Sequence, residues 1–121
     1  MSRFVLLRHE VPPEFGRPSH FDLMLQSGSS LLTWEIDQVP LSKQSVKAVQ
    51  LPNHRLLYLD YEGPISDNRG EVRRVDQGTC YVEHQTVDCV IAHIAGQTLR
   101  GAILLDRVNL EQWRLTYEEH P

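Results

Sequence analysis

The sequence predicts an all-β fold, mainly antiparallel: a small closed or partly closed β-barrel with few short helical turns. Two observations predict it. Short apolar runs with a period of two recur about every ten residues, and Gly, Pro, Asn and Ser clusters separate them. Sustained heptads, internal repeats and low-complexity tracts are absent. Closure into a barrel is preferred over an open sandwich because it removes exposed edges in a small β protein.

In chain order, residues 3–9 form the first predicted strand. Residues 10–19 hold Pro12, Pro13, Gly16 and Pro18, which forbid a regular helix or central strand, so they form a loop. Residues 20–26 and 31–36 read as a hairpin about the Ser27-Gly28-Ser29-Ser30 turn, with Leu32, Trp34 and Ile36 sharing one face. Residues 46–51 resume a strand pattern, with helix as the weaker option. If 54–62 is extended, His54, Leu56, Tyr58 and Asp60 line up on one side. After a turn-rich loop over 63–70, residues 71–76 and 79–83 read as a hairpin about Gln77-Gly78. Strands at 86–94, 97–105 and 112–117 complete the set. Gly96-Gln97 is a turn, Gly101 a position of bulge or close backbone approach, and 108–114 the one place for a short helical turn.

At 121 residues the chain is expected to be a single domain, 1–121. Hydrophobic content of 40% and charged content of 23% are ordinary for a globular protein, and no apolar run is long enough to span a bilayer. No membrane partner is therefore expected, and the cytoplasm is the default address. Cys80 and Cys89 are expected to be buried and reduced. The net charge of −4 gives no global reason for nucleic-acid binding. The cations, however, are ten Arg and two Lys, and Arg grips phosphate with a planar fork.

The chemistry-bearing stretch lies near the start. In an extended strand His20 and Asp22 point to one side while Phe21, Leu23 and Leu25 point to the other. His9 ends the preceding strand and supplies a third ligand if the two strands pair across the loop. Two imidazoles and a carboxylate make an open site for a divalent metal, serving either a hydrolytic centre or a non-haem iron oxygenase. The bland alternative is a solvated strand face. His54 and Tyr58 suit hydrogen bonding to phosphate oxygens, or equally a turn histidine and a half-buried tyrosine. Arg17, Arg55, Arg69, Arg73 and Arg74 are phosphate candidates; His84 and His93 read as structural.

Taken in order, these residues resemble the 3′-phosphoesterase domain of bacterial ATP-dependent DNA ligase D and its stand-alone relatives. The landmarks are Arg3-Phe4-Val5 leading to His9-Glu10, His20-Phe21-Asp22-Leu23, Thr33-Trp34, and His54 with Leu57 and Tyr58. Asp60-Tyr61-Glu62-Gly63, Asp76-Gln77-Gly78-Thr79, Leu99-Arg100-Gly101 and Trp113-Arg114-Leu115 follow. The resemblance implies a β-barrel enzyme that trims 3′ ends, removing a 3′ nucleoside and then the 3′ phosphate. It implies a divalent metal, with manganese favoured and zinc or another transition metal as alternatives. His9, His20 and Asp22 would be the ligands, and His54 and Tyr58 the groups on the scissile phosphate. The implied partners are DNA or RNA-containing 3′ ends, with DNA ligase or polymerase repair proteins alongside.

The family pattern carries an Arg where this chain has Met24, an acid where it has Pro52, a Gln where it has Leu7, and cations near Gln38 and Gln50. Substitutes for the missing cations are Arg17, Arg55 or Lys47. Without them, the alternative is a non-catalytic metal-containing module that binds DNA ends or a repair partner.

Overall fold

The computed structural model describes residues 2–121. Its strands are β1 (Ser2–Glu10), β2 (His20–Ser27), β3 (Ser30–Ile36), β4 (Gln44–Arg55), β5 (Gly63–Pro64), β6 (Glu71–Gln85), β7 (Cys89–Gly96), β8 (Arg100–Arg107) and β9 (Trp113–Glu119). Eight run antiparallel in the order β1-β2-β3-β4-β9-β8-β7-β6, and β1 pairs back onto β6 to close the barrel. β5 adds two residues to the outer edge of β6. Two 3-10 turns, Pro13–Phe15 and Leu56–Leu59, are the helical elements among the described residues. None of these residues lies in a helix long and apolar enough to cross a membrane.

Strand alternation sorts the apolar side chains into two cores. Phe4 and Leu6 of β1, Leu23 and Leu25 of β2, Trp34 of β3, Ile103 and Leu105 of β8, and Trp113 and Leu115 of β9 belong to one cluster fed by every strand of the ring, the barrel interior. Trp34 and Trp113 meet edge to face there, ring centroids 5.6 Å apart. Val5, Leu7, Met24 and Leu31 face outward from the same strands, yet are buried in a second cluster with Leu59 and Val72. The segment carrying the second 3-10 turn covers this outer face. Burying a side chain such as Leu59 is worth about 1.5–3 kcal/mol. The exposed Arg3–Asp60 pair at 2.8 Å, which also ties that segment to β1, is solvated and screened and adds little. Apolar burial therefore holds the cover.

A register shift where β1 meets β6 makes the two-core arrangement possible. Leu6 lies opposite Asp76 and Leu7 opposite Arg74, so Val75 bulges. The extra residue lets Val72 face the outer cluster while Cys80, an even number of residues on, faces the barrel interior. Cys80 is buried, and that burial pushes its thiol up to about 11; Cys89 is half-buried, and both are free.

Three expectations from the sequence are corrected. Residues 54–62 are not one strand, since β4 ends at Arg55 and the chain tightens into the 3-10 turn that buries Leu59. No turn occurs at Gln77-Gly78, because β6 runs unbroken through both and Gly78 serves close approach instead: a Cβ there would lie 2.0 Å from the Ala95 carbonyl oxygen. Residues 108–114 form no helical turn. Asn109 Oδ1 accepts hydrogen bonds from the Glu111 and Gln112 N–H groups, and the Val108 N–H bonds to the Gln112 carbonyl, making a β-hairpin loop. Gly101 is a site of close approach, as expected, with a Cβ there 2.2 Å from the Glu118 carbonyl oxygen.

Asp76 is a buried carboxylate with a structural task. Its Oδ1 accepts from the Gln77 and Gln97 N–H groups, each at 2.8 Å, and its Oδ2 from Thr98 at 3.2 Å and Leu99 at 2.8 Å. It thereby organises the β7–β8 turn from a strand at the seam. Asp76→Ala is expected to cost roughly 3–5 kcal/mol in urea unfolding, because several buried donors lose their acceptor together; a cost under about 1 kcal/mol would contradict this role.

Candidate metal centre

β1 and β2 pair with His9 directly opposite His20, and Asp22 two residues along β2 presents its side chain on the same outer face. The ring centroids of His9 and His20 are 4.8 Å apart. His9 Nδ1 is 3.6 Å from Asp22 Oδ2, and His20 Nε2 is 3.4 Å from Asp22 Oδ1. One ligand atom from each of the three lies within 4.8 Å of the others. His20 and Asp22 are each only 4% exposed.

The backbone sets which nitrogen of each ring faces inward. His9 Nε2 donates to the Arg69 carbonyl at 3.0 Å, and His20 Nδ1 to the Pro18 carbonyl at 3.3 Å. A carbonyl can only accept, so in each neutral ring the other nitrogen, His9 Nδ1 and His20 Nε2, turns its lone pair toward Asp22. Gly70 brings the Arg69 carbonyl to β1: it sits at φ +101°, and a Cβ there would be 1.8 Å from the Glu10 carbonyl oxygen.

This donor set fits a divalent ion. Asp22 Oδ1 is buried with no hydrogen-bond partner, and the His20 Nε2 facing it at 3.4 Å is the nitrogen left without a proton in the neutral ring. Burial is the largest influence on Asp22 and pushes it up, but the facing His20 and His9 overcome it and hold the carboxyl at about 2, below its ordinary 3.8. Burial is likewise the largest influence on His20 and pushes it down. Asp22, the Pro18 carbonyl and Glu35 outweigh it, leaving the imidazole above its ordinary 6.5. The site thus attracts positive charge, whether protons or a metal.

A cavity of about 320 Å³ opens over this group, lined also by Phe15, Arg17, Met24, His54, Tyr58, Ile65 and Arg69. His54 is the penultimate residue of β4, next to Pro52 and Asn53, which occupy a register shift against β3. Its Nδ1 donates to the Pro52 carbonyl at 2.8 Å, and its ring meets Tyr58 edge-on, centroids 5.6 Å apart. Arg17, from the proline-rich loop, bonds Glu35, whose carboxylate is 3.4 Å from His20 Nε2. Met24 is buried in the outer cluster.

Of the residues singled out in the sequence, His9, His20, Asp22, His54, Tyr58, Arg17 and Arg69 therefore line one cavity. Arg55 is exposed at the end of β4 and is not among the lining residues, and Lys47 borders a separate depression with Arg107 and Trp113. Sequence reading missed Glu35 and the carbonyls of Pro18 and Pro52. The repeated Pro-x-His spacing, Pro18-Ser19-His20 and Pro52-Asn53-His54, was the available signal.

The family model for the DNA ligase D 3′-phosphoesterase domain matches residues 13–112, a span that holds His20, Asp22, His54 and Tyr58 and begins after His9. No curated protein matches the chain.

The site has a defined pH signature. In the metal-free protein Asp22 contributes stability that is present above 3.8 and lost as pH falls toward 2. His20 contributes stability that is full below 6.5 and lost as pH rises through its raised folded value. A metal ion needs the deprotonated imidazole. The rise in melting temperature produced by saturating manganese is therefore expected to be larger at about pH 8 than at about pH 6, and His20→Ala should abolish it. An equal rise at both pH values would contradict the assignment of His20.

Proposed function

The chain belongs to the DNA ligase D 3′-phosphoesterase domain family, and from that membership we propose that it is a metal-dependent phosphoesterase of DNA 3′ ends, removing a 3′ phosphate or 3′ ribonucleoside during end repair. The observation that carries this reading is the convergence of a His/His/Asp ligand group with His54, Tyr58 and Arg17 on one cavity. Family membership also weighs against the iron-oxygenase alternative.

In this reading His9 Nδ1, His20 Nε2 and Asp22 hold a divalent ion, manganese in preference to zinc or another transition metal. When bound, that ion supplies Lewis-acid polarisation of the phosphoryl group and favours ionisation of water at neutral pH. The remaining tasks fall to side chains of the chain itself. His54 has its Nδ1 committed to the Pro52 carbonyl, which leaves Nε2 to hydrogen-bond the phosphate or protonate the departing alkoxide. A carbonyl here does what an acidic side chain would otherwise do, orienting the imidazole from two residues upstream. Tyr58 supplies a phenolic donor for charge gathering on the phosphate oxygens. Arg17, a cation that lines the same cavity, substitutes for the Arg that the family resemblance implies at Met24. Arg55 and Lys47 would act, if at all, on more distant parts of a nucleic acid. DNA ligase or polymerase repair proteins are the partners this activity calls for.

A second reading, a non-catalytic module that binds DNA ends, is favoured by two observations: Met24 offers no charge beside Asp22, and Arg17 is engaged by Glu35. The two readings separate on turnover. The enzyme releases phosphate from a 3′-phosphorylated primer in manganese. His20→Ala and Asp22→Ala abolish release, whereas His54→Ala and Tyr58→Phe each lower it about 10²- to 10³-fold. Salt-sensitive binding of the same end with no release would establish the module instead.

A further inference from the structure

Glu35 stands outside the three-ligand group yet touches it. Its strand partner is Asp22, so the two carboxylates project from facing positions on the same outer face of β2 and β3. Glu35 Oε1 lies 3.4 Å from His20 Nε2, the same separation as Asp22 Oδ1 from that nitrogen. Ligand atoms about 2.1 Å from a common ion sit roughly 3.0–3.4 Å apart, depending on octahedral or tetrahedral geometry. The His20 nitrogen whose lone pair faces inward is therefore flanked by two carboxylates at ligand-to-ligand spacing. The same Glu35 oxygen also accepts the Arg17 guanidinium, and Arg17 lines the cavity that His54 and Tyr58 line.

We propose that Glu35 is a fourth ligand of the metal centre and that Arg17 holds its carboxylate in the metal-free protein, so that loading the ion releases the guanidinium for an anionic substrate. This rests on the reading of His9, His20 and Asp22 as metal ligands. One carboxylate oxygen has two cationic claimants. The ion is doubly charged and Glu35 is only 25% exposed, whereas Arg17 is half-exposed and remains solvated when it lets go. The exchange moves a cation from a resting ion pair toward the cavity, next to a metal site whose neighbour Met24 carries no charge. Metal binding and anion binding are coupled as a result: loading the ion frees the Arg17 guanidinium for the anion, and each ligand strengthens the other.

The test measures manganese binding by calorimetry and by loss of the free-ion electron paramagnetic resonance signal, with cobalt(II) visible absorption as a reporter of ligand number. Wild type, Asp22→Ala, Glu35→Gln, Arg17→Gln and the Glu35→Gln/Arg17→Gln pair are compared, each with its unfolding curve recorded. Expected are roughly tenfold or weaker manganese affinity and an altered cobalt spectrum in Glu35→Gln, and about two- to fivefold tighter affinity in Arg17→Gln. In the double variant, removing Arg17 brings no further gain, because the guanidinium acts through the missing carboxylate. Inorganic phosphate binds wild type more tightly with manganese than without, and Arg17→Gln narrows that difference to the part that the ion's own attraction for phosphate supplies.

Unchanged affinity and cobalt spectrum in Glu35→Gln, with Asp22→Ala unable to bind, would overturn the fourth ligand while leaving the three-ligand centre intact. An Arg17→Gln gain of equal size in both backgrounds would overturn the exchange, reducing it to general charge repulsion. Failure of wild type to bind manganese, zinc or cobalt would overturn both this proposal and the reading beneath it.

Discussion

The structure depends on β1 being paired along both edges, to β2 on one side and β6 on the other, with both faces buried. This seam closes the barrel and leaves no open edge at the point where the ring would otherwise part. It also sets a register. Closing β1 onto β2 brings His9 opposite His20, and closing it onto β6 brings His9 opposite Val72, at the margin of the outer apolar cluster. The centre is thus a by-product of the closure that stabilises the fold. β1 thus fills the barrel interior with Phe4 and Leu6 and the outer cluster with Val5 and Leu7, and it carries the candidate ligand His9 on that same outer face.

Placing the centre on the outer wall rather than in the lumen has an energetic logic. The barrel interior is filled by Trp34, Trp113 and aliphatic side chains, and has no room for an ion and a phosphate. The outer wall offers a half-sheltered surface instead, dry enough to desolvate Asp22 yet opening into a cavity of about 320 Å³. That shelter is supplied by the 3-10 turn Leu56–Leu59, anchored through Leu59, and by the short β5 segment beyond it. The same cover carries Tyr58, and His54 lies just before it in the chain, so the element that shelters the candidate ligands also brings both side chains to the cavity. Burial without full pairing leaves Asp22 Oδ1 unsatisfied, a cost the fold bears for a carboxylate ready to meet a cation.

Orientation within the site comes from main-chain carbonyls more than from side chains. Pro18, Pro52 and Arg69 each direct one imidazole. Two of these acceptors precede their histidines by two residues, so they are built by local chain geometry and require no long-range partner. The third comes from a loop that only glycine at position 70 allows to approach β1. The arrangement tolerates an unusual side-chain inventory around it, including Pro52 and Met24, because the groups that fix the rings are independent of those side chains.

The all-β class and the strand hairpin bearing His20 and Asp22 were legible in the sequence because each rests on a local rule, whereas the barrel and the third ligand His9 were expectations conditional on which strands pair. Period-two alternation puts His20 and Asp22 on one face, and Pro and Gly mark where strands stop. What the sequence could not convey depends on contacts between distant segments. Gly78 reads as a turn residue until Ala95 is seen to press against it, and 54–62 reads as extended until Leu59 finds an apolar surface to bury. Glu35 looks like an ordinary solvent-facing strand residue until strand pairing sets it opposite Asp22 and the proline-rich loop brings Arg17 onto it. Local residue chemistry determined which groups were available for metal and phosphate. Barrel closure, the β6 bulge and the folding of the cover decided which of them meet, because register and long-range packing are properties of paired strands, and no single stretch of sequence holds both partners.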